Sequence, residues 1–81
     1  MPLGRDPELV AFGTVVRKAR HARDLSQEEL AELAGLHPTQ VSFVERARRE
    51  VKILTMLKLA RGLDMTPGQL WTAYDEQTLT E

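Results

Sequence analysis

Ser26-Gln27-Glu28-Glu29-Leu30-Ala31-Glu32-Leu33-Ala34-Gly35-Leu36-His37-Pro38 sets a helix start, a helix stop and a second helix start in close succession. The Ser26 hydroxyl can accept from the amide of Glu29 while the Glu29 carboxylate reaches back to the amide of Ser26, a reciprocal capping box. Leu30, Leu33 and Ala34 supply the inner face of the helix that follows, and Gly35 suits the left-handed residue that ends one. This segment is therefore expected to be only about two turns long. His37 then precedes Pro38, and proline at a first helical position forfeits no hydrogen bond. His37 reads as the cap and Pro38 as the first residue of the next helix. Val41 and Val44 turn inward from it, which leaves Thr39, Gln40, Ser42 and Phe43 on its outer and flanking faces.

Upstream, Asp6-Pro7-Glu8 repeats the same start chemistry, an acidic cap followed by proline. Leu9, Phe12, Val16 and Ala19 recur at three- and four-residue steps, so a first amphipathic helix is expected to run to about Arg23. Downstream, Arg46 to Val51 forms a polar connection. Ile53, Met56, Leu57, Ala60 and Leu63 give a fourth helix, its end weakened by Gly62 and Asp64. Thr66-Pro67 opens a fifth, with Leu70 and Trp71 adjacent, continuing to Tyr74. The expected organisation is a flexible N-terminus over 1–6, an all-α domain over 7–74 and a flexible acidic tail over 75–81. No strand pattern, repeat or low-complexity segment interrupts it.

At 81 residues the chain makes one domain with a limited core, a size at which self-association is a natural source of stability. Cysteine is absent, which removes disulfides, thiolate metal sites and thiol catalysis, and fits a reducing cytoplasm. No apolar run approaches the roughly 20 residues needed to cross a bilayer, and the N-terminus lacks the apolar stretch of a signal peptide. The net charge of −1 hides strong segregation. Arg17, Lys18, Arg20, His21 and Arg23 form one basic group and Arg46, Arg48, Arg49 and Lys52 another, while the acid lies mainly in 24–32 and 75–81. Such runs are commonly solvated helix faces; the second group stands out because it follows the third helix. His21 and His37 lie on different elements, with no carboxylates spaced to complete a metal site. Neither a glycine-rich phosphate loop nor a nucleophile paired with a base is present. An enzyme, a cofactor and a small-molecule ligand are accordingly not expected.

Two short helices joined by a tight glycine-containing turn and flanked by further helices make a helix-turn-helix, whose second helix suits the major groove of DNA. The run Leu25 to Leu36, followed by Val41-Ser42 and Val44-Glu45-Arg46, resembles the Cro/repressor (Xre-type) helix-turn-helix family, and the likeness extends from Phe12 to Tyr74. In length and layout it is similar to the controller proteins of restriction-modification systems, and small phage repressors resemble it almost equally. The resemblance implies an all-α, five-helix lambda-repressor-like domain with the motif at helices 2 and 3. It implies a transcriptional regulator that binds a roughly palindromic operator on double-stranded DNA as a homodimer.

Site residues follow from the same resemblance. Gln27 is placed to contact a phosphate, where helix-terminal amides also favour an anion. Arg46, Arg48 and Arg49 look like further backbone contacts. Base reading falls on Thr39, Gln40, Ser42 and Phe43; Gln40 suits adenine or a place over the backbone, and Thr39 and Phe43 suit a thymine methyl. For Phe43 a core position and a partner-binding position stand beside that reading. Two departures from the family pattern occur. Pro38 stands where relatives carry a polar or basic reader, which predicts weak or steric readout there. Ala47 stands where glycine is common, and because alanine resists a left-handed backbone, both an ordinary and a reshaped turn stand open here, and with them the placement of Arg48 and Arg49. Arg20 and Glu45 occupy the positions of a structural ion pair. Leu57, Leu70, Trp71 and Tyr74 fall on the expected two-fold interface, although Leu70 and Trp71 also suit closure of the monomer core. The contrasting function is an antitoxin-like protein-interaction module that uses the same scaffold to dock a second protein through Trp71, Tyr74 and the acidic tail.

Overall fold

The computed structural model describes residues 6–79. Within them the chain forms five helices: α1 (Pro7–Ala22), α2 (Gln27–Ala34), α3 (Pro38–Glu45), α4 (Ile53–Gly62) and α5 (Pro67–Leu79). No strand occurs among the described residues. Apart from Asp6, the segment expected to be a flexible N-terminus lies outside this range.

Local chemistry accounts for nearly every boundary. The Asp6 carboxylate accepts from the Glu8 amide at 2.8 Å, opening α1. Ser26 and Glu29 exchange both bonds of the expected capping box, at 2.8 and 3.0 Å. Two further boxes occur that the sequence reading did not anticipate. Gln40 Oε1 accepts from the His37 amide while His37 Nδ1 accepts from the Thr39 amide. Thr66 and Gln69 reciprocate in the same manner at the start of α5. Each connection out of α1 to α4 turns on one left-handed residue, respectively Asp24, Gly35, Ala47 and Asp64. In all four, the following amide bonds to the carbonyl five residues back: Leu25 to Arg20, Leu36 to Ala31, Arg48 to Phe43 and Met65 to Ala60. This is the Schellman closure of a helix end.

The core joins Phe12, Val15 and Val16 of α1 to Leu30 and Ala31 of α2, Val41 and Val44 of α3, Met56, Leu59 and Ala60 of α4, and Leu63 and Leu70. Glycines permit the two closest approaches. A Cβ on Gly13 would lie 2.5 Å from the Val44 carbonyl oxygen, so α1 rests directly on the end of α3. One on Gly62 would lie 2.9 Å from Ala34 Cβ and 3.0 Å from Leu30 Cδ1, so the glycine expected only to weaken α4 is also what lets it lie against α2.

Three sequence expectations require correction. Leu33 is 58% exposed and Ala31 takes the inward position. At roughly 100° per residue, Leu30, Ala34 and Ala31 share one arc, and Leu33 falls about 60° outside its other edge. In α4 the fully buried leucine is Leu59, while Ile53 is 69% and Leu57 37% exposed. The tail expected to fray after Tyr74 is helical as far as Leu79. No glycine or proline interrupts it, and Lys18 Nζ on α1 donates to Gln77 Oε1 at 3.0 Å. Among the described residues no helix is long and apolar enough to cross a membrane.

Candidate nucleic-acid interface

One buried polar cluster fixes α3 relative to its neighbours. Arg20 Nε and Nη2 donate to Glu45 Oε2 and Oε1 at 2.6 and 3.0 Å, and Arg20 Nη1 donates to the Leu25 carbonyl at 2.8 Å. Glu45 Oε1 also accepts from Gln27 Nε2 at 3.0 Å. The Glu45 hydrogen bonds and charge hold the Arg20 guanidinium above its ordinary pKa, against the opposing effect of burial. Among the described residues no buried side-chain polar atom lacks a partner. One carboxylate at the end of α3 therefore joins α1 and the first residue of α2, while Arg20 ties in the turn between those two helices. Arg20 and Glu45 form the bidentate pair expected of them. Gln27, by contrast, is half-buried and already engaged through one amide hydrogen, so any phosphate must be met by its remaining donor.

The outer face of α3 carries Thr39 and Gln40, both exposed, and Ser42 and Phe43, both half-buried. Bidentate pairing with adenine needs the acceptor and the donor of a glutamine amide together. Gln40 Oε1 is occupied by the His37 amide. Gln40 reads adenine in that way either by sharing Oε1, which has a second lone pair, between the cap and the base or by giving up the cap, and otherwise presents its Nε2 alone as a single donor.

Ala47 adopts φ +55° and keeps the ordinary Schellman closure. The turn is therefore not reshaped, because the two capping bonds outweigh the local strain of an alanine there. It carries the chain back over the face it has just left. The Arg49 guanidinium lies 4.6 Å from the centre of the Phe43 ring, and that of Arg46 lies 6.0 Å from it. Arg46, Arg48 and Arg49 are all exposed. Alongside is an open cleft of about 220 Å³ whose lining includes Gln40, Phe43, Arg49, Lys52 and Thr55 together with the carboxylate-bearing Glu50. Lys52 precedes α4 without a side-chain cap, so the first amides of α4 are left for another acceptor. Thr55 was not anticipated at this site, and Lys52 was noted only as a member of the second basic group, without a contact assigned to it; a lysine where a capping residue normally stands was the available signal.

The residues expected at a two-fold interface divide. Leu70 is fully buried within the monomer core, with nothing left to present to a second chain, so it drops out of that set. Its neighbour Trp71 is 45% exposed, since one residue turns the helix by about 100° and carries the side chain off the buried arc. Trp71 meets Tyr74 edge-on at 5.4 Å and Phe12 at 6.2 Å. With Ile53 and Met56 these rings line an apolar cleft of about 360 Å³ between α1, α4 and α5. The exposed Leu54 and Leu57 extend the apolar surface along α4.

Comparison with known proteins gives a consistent picture. Residues 16–70 match the model of the helix-turn-helix family. The chain is 44% identical over 57 residues to control protein C.SmaI of Serratia marcescens, covering 70% of this chain and 68% of that one. Its structure matches that of the restriction-modification controller protein C.AhdI from Aeromonas hydrophila with a TM-score of 0.77 at 46% identity, over 80% of this chain and 98% of the other. It also matches C.Esp1396I, solved as a tetramer with its natural 35 base-pair operator, with a TM-score of 0.88 at 24% identity, over 93% of this chain and 99% of the other.

Proposed function

Because the chain belongs to the helix-turn-helix family and is similar to control proteins over most of their length, we propose that it is a sequence-specific DNA-binding regulator of transcription of the controller type. It is not an enzyme. The observation that carries the reading is the division of α3. Val41, Val44 and Glu45 are buried on one side, and Thr39 and Gln40 stand exposed on the other, beside Arg46, Arg48 and Arg49. In this reading α3 enters the major groove of an operator, Thr39, Gln40 and Ser42 face the base edges, and Gln27, Arg46, Arg48, Arg49 and Lys52 hold the sugar-phosphate backbone.

Two copies joined through Ile53, Leu57, Trp71 and Tyr74 place their recognition helices in successive major grooves of a roughly palindromic cytoplasmic target. The exposed apolar residues on α4 and α5 favour this dimer, since such surface on a small chain is stabilised by association.

Selection of bound sequences from a random duplex pool near physiological salt, with the mass of the complex recorded, tests the reading. A two-fold-symmetric consensus carrying two chains is expected. Recovery of no consensus overturns it. Substituting Thr39 or Gln40 should alter sequence preference by about 1–3 kcal/mol per contact, whereas substituting Arg46 should weaken all sequences alike and flatten the salt dependence.

A further inference from the structure

The outer face of α3 holds an aromatic ring where a base-reading side chain was expected. Phe43 lies one helical turn beyond Thr39 and Gln40, on the face assigned to DNA. A phenyl ring in a groove can offer apolar contact only, and this one is already covered: Arg49 stands over it at 4.6 Å and Arg46 flanks it at 6.0 Å. The backbone beneath is tied to the same place, because the Phe43 carbonyl accepts the Arg48 amide at 2.9 Å and so closes the turn that brings Arg49 back.

We propose that Phe43 reads no base and is instead the positioning residue for Arg49, holding its guanidinium over the outer face of α3 so that it meets the DNA backbone already oriented. Free arginine side chains are rich in rotamers, and part of that freedom is lost when they pin a phosphate. A ring beneath the guanidinium restricts those rotamers before DNA arrives and leaves the edge N–H groups pointing outward, since stacking uses only the flat face of the cation. The sequence preference of the protein then owes nothing to Phe43, while its affinity and salt dependence do.

The inference rests on the DNA-binding reading above, and the wild-type chain separates the two: absence of operator binding by wild type overturns both together. Given an operator, the experiment is a double-mutant cycle of Phe43→Leu and Arg49→Ala, with Phe43→Tyr as the conservative variant, followed by binding isotherms across a salt series. Phe43→Leu is expected to weaken operator binding about two- to fivefold, as loss of one exposed cation–π contact would. It should reduce the log-log salt slope by up to about one, the weight of one backbone contact, and leave the selected consensus unchanged. In the Arg49→Ala background the same change should cost nothing further, and Phe43→Tyr should behave as wild type.

A readout without DNA guards against mere loss of folding. The Arg49 side-chain protons should be shifted upfield by the ring in wild type and Phe43→Tyr, and return to ordinary values in Phe43→Leu. Arg49→Lys keeps the charge at an exposed position but loses the stacked plane, and should also flatten the slope. The proposal is overturned if Phe43→Leu alters the preferred base at one operator position with the slope intact, if its cost persists in the Arg49→Ala background, or if the Arg49 protons show no ring shift.

Discussion

Ala47 and Gly35 occupy equivalent places in the chain, each the left-handed residue that ends a short helix, and they make a matched test of what that conformation costs. A Cβ on Gly35 would meet nothing within 4 Å, so only the backbone opposes Gly35→Ala, which should lose about 1–2 kcal/mol. Ala47→Gly removes the same strain together with a buried methyl group, and should gain about 0.5–1 kcal/mol. Urea denaturation midpoints check both; a destabilised Ala47→Gly protein would show that the methyl, not the strain, dominates. At this scale the sequence was legible wherever one residue constrains its own backbone. Pro38 made His37 readable as a cap, and Ser26 with Glu29 made their box readable. Phe43 was not legible, because its surroundings depend on a turn four residues later that returns Arg49 to it.

The recognition helix is a short element held by α1 and α2, and its stability as a unit depends on Gly13 and Glu45 more than on its own propensity. Gly13→Ala would drive a methyl against the Val44 and Glu45 carbonyls at 2.5 and 2.9 Å, where only backbone can yield. A cost of about 1–3 kcal/mol is expected, with DNA affinity reduced more than stability alone explains because α3 must tilt. Thermal melts and operator isotherms on one preparation separate the two effects. Glu45→Ala leaves the Arg20 charge buried without its partner and should cost about 3–5 kcal/mol, whereas replacing Arg20 and Glu45 together by apolar residues should recover most of that. A Glu45→Ala protein as stable as the double replacement would refute the account. Periodicity located all five helices but erred on which residues of α2 and α4 face inward. The apolar pattern admits several arcs, and Gly62 lets α4 lie against Leu30 and Ala34, which leaves Leu33 outside the buried arc. The continuation of α5 to Leu79 was hidden for a related reason: an acidic, polar run reads as tail until the bond from Lys18 to Gln77 is seen.

At the level of the whole molecule, Leu70 and Trp71 separate folding from association. Leu70→Ala should lose about 2–5 kcal/mol of monomer stability, since it removes a fully buried side chain. Trp71→Asp alters a surface position, so it should leave a folded chain that sediments as a monomer and binds operator far more weakly. The wild-type melting temperature should rise with protein concentration and that of Trp71→Asp should not, as mass action requires. The five helices were visible in the sequence from their caps and apolar periods, but the surface left for a partner was not. Adjacent apolar residues on a helix look alike until the core has claimed one of them. On the dimer reading, a subunit whose core is complete without its mate can leave one partner intact and join another. Two alleles expressed in the same cell would then mix, and a copy with a blunted α3 but an untouched α5 would draw healthy subunits into pairs that grip only half an operator. Genetically, damage to the recognition helix should be dominant, while damage at Trp71 should be recessive.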